Sequence, residues 1–185
     1  MINLPTRKNW LKHHSNTSGF TLLELLVVVV MIGILAALGI PSWIFLINNS
    51  KVSNAQSEVF QAMRDAQSKA KLRKTTWESR FQNAQNANGE SVIQWSVNSA
   101  SGSPTWRTIS SPGVQIDPAL TNLDESGGSW SVKFNDKGQV EDSTLDENGK
   151  KITVVMGNGG GRKKCVFVKT ILGALKTAEA DKCNN

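Results

Sequence analysis

The 185-residue sequence predicts an α+β protein. One long N-terminal α-helix, partly of membrane-spanning character, is expected to pack on a C-terminal antiparallel β-sheet domain. Three observations predict this. An apolar run carries no charge between Glu24 and Lys51. It passes directly into a segment whose apolar residues recur at steps of three and four, the spacing of one helical face. After Lys74, aromatic and β-branched runs alternate with Gly- and Ser-rich connections, the pattern of short strands.

Residues 1–19 read as a leader. They carry Arg7, Lys8 and Lys12, no acid, and no apolar block of their own. A secretory signal places its apolar core before a small-residue cleavage site. Here the small residue, Gly19, precedes the apolar run. A cut after it would leave the hydrophobic segment on the mature chain.

Residues 20–47 are expected to form a transmembrane and assembly helix. The core, Leu25 to Ile40, is a little short for a bilayer, but Trp43, Ile44, Phe45, Leu46 and Ile47 extend it. Pro41 removes one backbone bond and predicts a kink, and Gly39 loosens the same turn. Glu24 stands alone at the head of the run. An acid costs about 2.5–3.5 kcal/mol at the centre of a span on insertion scales, so it marks a functional residue with a cationic partner.

Residues 48–74 form the amphipathic half of the helix. Val52, Ala55, Val59, Met63, Ala66 and Ala70 share one face, expected to lie on a sheet. The β-rich domain spans residues 75–185. Its expected strands are Thr75–Phe81, Val92–Val97, Thr105–Ile109, Val114–Ile116, Trp130–Phe134, Ile152–Met156 and Lys164–Lys169, with Gln139–Val140 beginning a return strand. Asn135-Asp-Lys-Gly138 is a turn signal. Asp124-Glu125 and Asp146-Glu147 read as solvated loops. The short apolar stretch Ile171–Leu175 is expected to pack on the sheet or to meet another subunit.

Cys165 and Cys183 are the two cysteines. In an exported chain such a pair reads as one disulfide closing the tail. Two free thiols, or half a metal site, fit that compartment poorly. Both histidines, His13 and His14, lie in the leader. Its removal leaves no histidine for a Ser-His-Asp or Cys-His set or for a metal. No catalytic residue, metal or cofactor is therefore expected, and the chain reads as a structural protein. The net charge is +6, and loss of the leader lowers it to about +3. The remaining charge is uneven, with an acidic middle and a basic tail. The glycines of Gly157–Gly161 lack the spacing and the Lys-Ser/Thr ending of a phosphate loop. They are expected to act as a mobile arm carrying Arg162, Lys163, Lys164 and Lys169.

Gly19, Phe20, Thr21, Glu24 and the apolar helix after them resemble the type IV pilin and pseudopilin superfamily. The resemblance implies cleavage after Gly19 by a prepilin peptidase and N-methylation of Phe20. It implies that Glu24 attracts the N-terminal amine of a neighbouring subunit and sets the register of a filament. It also implies local unwinding of the helix near Pro41 within that filament. The late hairpin, the Gly161-Arg-Lys-Lys164 element before Cys165 and the closing Cys183 resemble the GspH/FimT group of minor pilins.

The function so implied is a minor pilin of a type IV pilus-type filament. The alternative is a minor pseudopilin of a type II secretion system. Expected partners are other pilin or pseudopilin subunits, the prepilin peptidase, an inner-membrane assembly platform and, before assembly, membrane lipid. The expected location is the inner membrane in a single pass, with the C-terminal domain outside the cytoplasm, and then the filament. Some FimT-like pilins bind DNA through a Gly-Arg-x-Arg element. Here Lys164 stands in the place of the second arginine and lacks its planar fork. Two readings of the tail stand: DNA capture for transformation through Arg162, Lys163, Lys164 and Lys169, or a solvated basic loop that steadies the disulfide region or faces an acidic pilin.

Overall fold

The computed structural model of the chain describes residues 19–141 and 149–184. The leader up to Ser18 and the Asp146-Glu147 loop lie outside the described residues. By its internal contacts the chain divides into two units, residues 1–40 and 41–185.

Helix α1 runs from Leu22 to Arg73. Thr21 caps it: the Glu24 N–H donates to Thr21 Oγ1 at 3.2 Å, and the Leu25 N–H donates to the Thr21 carbonyl at 3.2 Å. Thr and Ser suit this position because the short side chain satisfies a backbone N–H with no partner inside the helix. The helical backbone continues through Pro41. Lys71 and Arg73 fall in the last turn, where cations complement the helix dipole. Lys74 then turns out of the helix in the left-handed region, at φ 54°.

Within the second unit, α1 buries one stripe. Val52, Ala55, Val59, Ala62, Met63, Ala66 and Ala70 are all buried. These are the residues whose spacing predicted a sheet-facing stripe, joined by Ala62. The four alanines bring the backbone of the helix close to the strands.

The strands form two antiparallel sheets. In the first, β1 (Trp77–Gln85), β2 (Ser91–Ser99), β3 (Arg107–Thr108), β5 (Asp124–Ser126) and β6 (Ser129–Phe134) lie in the order β3-β2-β1-β6-β5. In the second, β4 (Val114–Ile116), β7 (Lys150–Met156), β8 (Lys164–Val168) and β9 (Leu175–Glu179) lie in the order β4-β7-β8-β9. Phe81 on β1 is flanked by Trp95 and Trp130 on its neighbours. Asn83 joins the sheets: its Nδ2 donates to the Ile116 carbonyl at 2.9 Å, and its Oδ1 accepts from the Ile116 N–H at 2.7 Å. Phe81, Ile93, Ile116, Phe134, Ile152 and Val166 form the core under the helical stripe.

Several elements differ from expectation. The strand expected over Thr105–Ile109 shortens to Arg107–Thr108, because it is an edge that pairs only Gln94 and Trp95. The return strand at Gln139–Val140 reduces to one bridge between Val140 and Phe134. The expected loop at Asp124-Glu125 is the exposed edge strand β5. Leu175–Glu179 was assigned no strand, yet it pairs along its whole length with β8. Ile171 and Leu172, expected to pack on the sheet or to meet another subunit, do not pack on the sheet: they are 61% and 71% exposed at the turn before β9.

The outer face of the second sheet carries a small separate cluster. Cys165 and Phe167 meet Cys183 and Ala178 there. The disulfide between Cys165 and Cys183 closes the tail over this face, with Cα atoms 5.8 Å apart. Lys151 Nζ donates to the Cys183 carbonyl at 2.9 Å and fastens the tail again.

Candidate functional site

The N-terminal element is built by three residues. Phe20 is exposed just before the cap, Thr21 is the cap, and Glu24 is the third residue of the helix. Thr21 and Glu24 have the spacing of a capping box. A carboxylate in the first turn is favoured by the positive end of the helix dipole. An ammonium at the same end is opposed by it. Cleavage after Gly19 would create that ammonium on Phe20, and Glu24 supplies the compensating charge nearby. The Thr-x-x-Glu spacing is the sequence signal for the capping role of Thr21.

Behind Glu24 the helix presents apolar side chains on every side. The described large ones between Phe20 and Ile47 are each 42–82% exposed. Among the described residues, the first buried one is Asn48. Mean hydropathy reaches 2.8 in this part of α1, so the helix is long and apolar enough to cross a membrane. The twenty-six residues from Leu22 to Ile47 rise about 39 Å, more than the roughly 30 Å hydrocarbon core of a bilayer.

The tail is more ordered than its glycines suggested. Gly157–Gly161 is a braced turn, which corrects the expectation of a mobile arm. The Gly157 N–H donates to the Gly113 carbonyl at 2.8 Å, and the Gly159 N–H to the Met156 carbonyl at 3.0 Å. The Arg162 N–H donates to Asn49 Oδ1 of α1 at 2.7 Å. A Cβ at Gly160 would stand 2.6 Å from Asn48 Nδ2, so the Asn48 side chain would have to shift. The glycines permit close approach to the helix, where flexibility had been inferred.

The four basic residues of the tail differ in what they engage. Arg162 and Lys163 are exposed. Lys164 Nζ bonds the Glu179 carboxylate at 2.8 Å, across the β8–β9 pair. That bond and charge hold the Glu179 carboxyl below the usual carboxylate range, with Arg162 and Lys182 adding smaller effects. Lys169 Nζ lies 4.6 Å from the centre of the Phe167 ring, and Lys151 Nζ lies 5.9 Å from it. Burial, and then the charge of Lys169, pushes the Lys151 ammonium below its ordinary range.

A family model described as the prokaryotic N-terminal methylation motif matches residues 14–40. No curated protein and no solved structure matches the chain. The matched residues include Gly19, Phe20, Thr21, Glu24 and most of the exposed apolar helix. This motif, the long N-terminal helix and the antiparallel sheets after it mark the chain as a type IV pilin-like protein, with the N-terminal motif of chains processed by prepilin peptidase.

Proposed function

We propose that the chain is a minor pilin of the GspH/FimT kind, in a type IV pilus-type filament. Prepilin peptidase cuts after Gly19, and Phe20 becomes the N-methylated first residue. The mature chain waits in the inner membrane with its β-rich domain outside the cytoplasm. The assembly platform then moves it into the filament, where its helix packs among those of other subunits.

The observation that carries this reading is the exposed apolar surface of Phe20–Ile47, headed by the lone acid Glu24. Such a surface needs lipid or other helices around it. Leaving lipid for a bundle of helices removes Glu24 from water, and a buried carboxylate needs a cation. The amine on Phe20 of a neighbour is that cation. Glu24→Ala tests the account in cells. The variant is expected to be processed normally and to remain in the membrane fraction. Normal incorporation into sheared filaments would contradict the role of Glu24.

A second reading adds DNA capture. It is supported by Arg162 and Lys163, which project from the braced turn, and weakened by the engagement of Lys164 with Glu179. Phosphate binding is salt-dependent through counterion release. DNA binding that falls steeply with salt, and that Arg162→Ala with Lys163→Ala abolishes, supports this reading. Absence of binding at low salt removes it. The same anchor serves a pseudopilus of type II secretion; incorporation into pili, or into a secretion pseudopilus, separates the two.

A further inference from the structure

Strand β9 closes one side of the second sheet and pairs only with β8. Its pairing phase follows from two bonds beyond its ends. The Lys169 N–H donates to the Ala174 carbonyl at 2.9 Å, and the Ala180 N–H donates to the Lys163 carbonyl at 2.8 Å. In an antiparallel pair, alternate residues turn their backbone groups toward the partner strand. Lys176 and Ala178 therefore face β8. Leu175, Thr177 and Glu179 turn their N–H and C=O groups to the open side. Among the described residues, nothing hydrogen-bonds to these outward groups.

A groove of about 590 Å³ runs beside this edge, and its charged lining is Lys164, Lys176 and Lys182 with Glu179 and Asp181. Three lysines face two carboxylates, an excess of one positive charge. Glu179 is engaged by Lys164. Lys176 and Lys182 form no ion pair among the described residues. Arg162 and Lys163 stand at the start of the adjoining strand.

We propose that β9 is a docking edge for an extended, acidic segment of a neighbouring subunit, which adds to the sheet as a further strand. Backbone bonds to Leu175, Thr177 and Glu179 supply the register. Lysines on an open edge ordinarily discourage pairing with other strands. Here they make the edge selective. A neutral or basic strand leaves the excess positive charge of the groove uncompensated, whereas a segment carrying carboxylates offsets it. The identity of the partner as a filament subunit rests on the function proposed above; the chemistry of the edge does not.

The test uses the full chain in detergent micelles and two ten-residue extended peptides. One alternates Glu with Val and Thr; the other has Lys in place of Glu. The acidic peptide is expected to bind at least tenfold more tightly than the basic one. It should slow amide exchange at Leu175, Thr177 and Glu179 at least tenfold. Lys176→Glu with Lys182→Glu should weaken binding at least tenfold with the disulfide and melting temperature retained. Thr177→Pro, which removes an N–H that no strand uses, should abolish binding.

Equal binding of both peptides overturns the proposal. So does binding without added protection at Thr177. An oligonucleotide that competes for the site without protecting those amides shows a general anion surface and overturns strand addition. Binding is read on the unassembled chain. A chain that binds the peptide but never enters a filament therefore overturns the filament reading and leaves the edge standing.

Discussion

Gln56 and Gln67 stand eleven residues apart on α1, and each donates its side-chain Nε2 to two main-chain carbonyls of the β-rich half. Gln56 reaches Cys165 and Ala178, both at 2.8 Å. Gln67 reaches Gly138 at 2.8 Å and Gly173 at 3.0 Å. Eleven residues make about three helical turns, so both amides lie on one face. One fastens the helix where β8 meets β9. The other fastens it where the Asn135–Gly138 turn meets the turn before β9. The apolar stripe supplies adhesion in this contact, and the two amides fix its register.

Replacing either glutamine by leucine should therefore cost more than one ordinary hydrogen bond, because two carbonyls lose their donor. About 1–3 kcal/mol is expected for each. The sites are about 16 Å apart along the helix, so the double variant should show nearly the sum. Urea titration of residues 48–185, which hold every buried residue described, measures it. Losses below a few tenths of a kcal/mol would show that the amides are incidental.

The disulfide holds the Ala180–Cys183 turn over the outer face of the second sheet. On the chain-entropy model a loop of this size contributes about 3 kcal/mol. For a domain of about 135 residues this corresponds to a fall in Tm of about 10 °C on reduction. Scanning calorimetry with and without reductant reads it. An unchanged Tm would mean that the Lys151–Cys183 contact and the β8–β9 pairing already suffice.

Two left-handed residues should respond in opposite directions. Gly149 has φ 73°, and a Cβ there would collide with the Val168 carbonyl oxygen. Gly149→Ala should lose about 1–3 kcal/mol, since main chain must move. Lys74 has φ 54° at the end of α1, the position where helices favour glycine. Lys74→Gly should gain about 1 kcal/mol. Chemical denaturation of both variants checks the signs, and a loss with Lys74→Gly would refute the cap assignment.

The Glu179 carboxyl is held below its ordinary range, first by the hydrogen bond from Lys164 and then by its charge. A carboxylate whose pKa is lower in the folded state stabilises that state above its unfolded pKa. The contribution fades as pH falls through the folded pKa. Titration of Glu179 by NMR should therefore show a midpoint below the ordinary glutamate value. Lys164→Met should return it toward that value. A midpoint unmoved by the substitution would mean that Lys164 is not its partner.

Much of this architecture was legible in the sequence. The helix and its buried stripe follow from the spacing of Val52, Ala55, Val59, Met63, Ala66 and Ala70. The disulfide follows from an isolated pair of cysteines in a chain read as exported. Strand β9 was hidden because Leu, Lys, Ala and Glu in Leu175–Glu179 favour helix, and only pairing with β8 makes the segment extended. The glycines of Gly157–Gly161 misled for another reason. Glycine serves flexibility and close approach equally, and only Asn48 and Asn49 of α1 decide between them. The partnership of Lys164 with Glu179 likewise depended on a strand register that no local pattern reveals.

The central claim is that this chain is a prepilin whose mature form begins at Phe20. Mass spectrometry of the N-terminal peptide from the membrane fraction tests it most directly. The account predicts a peptide beginning at Phe20 with one added methyl group on its amine. Mature protein that retains Gly19 and the residues before it, or that begins elsewhere, would contradict it.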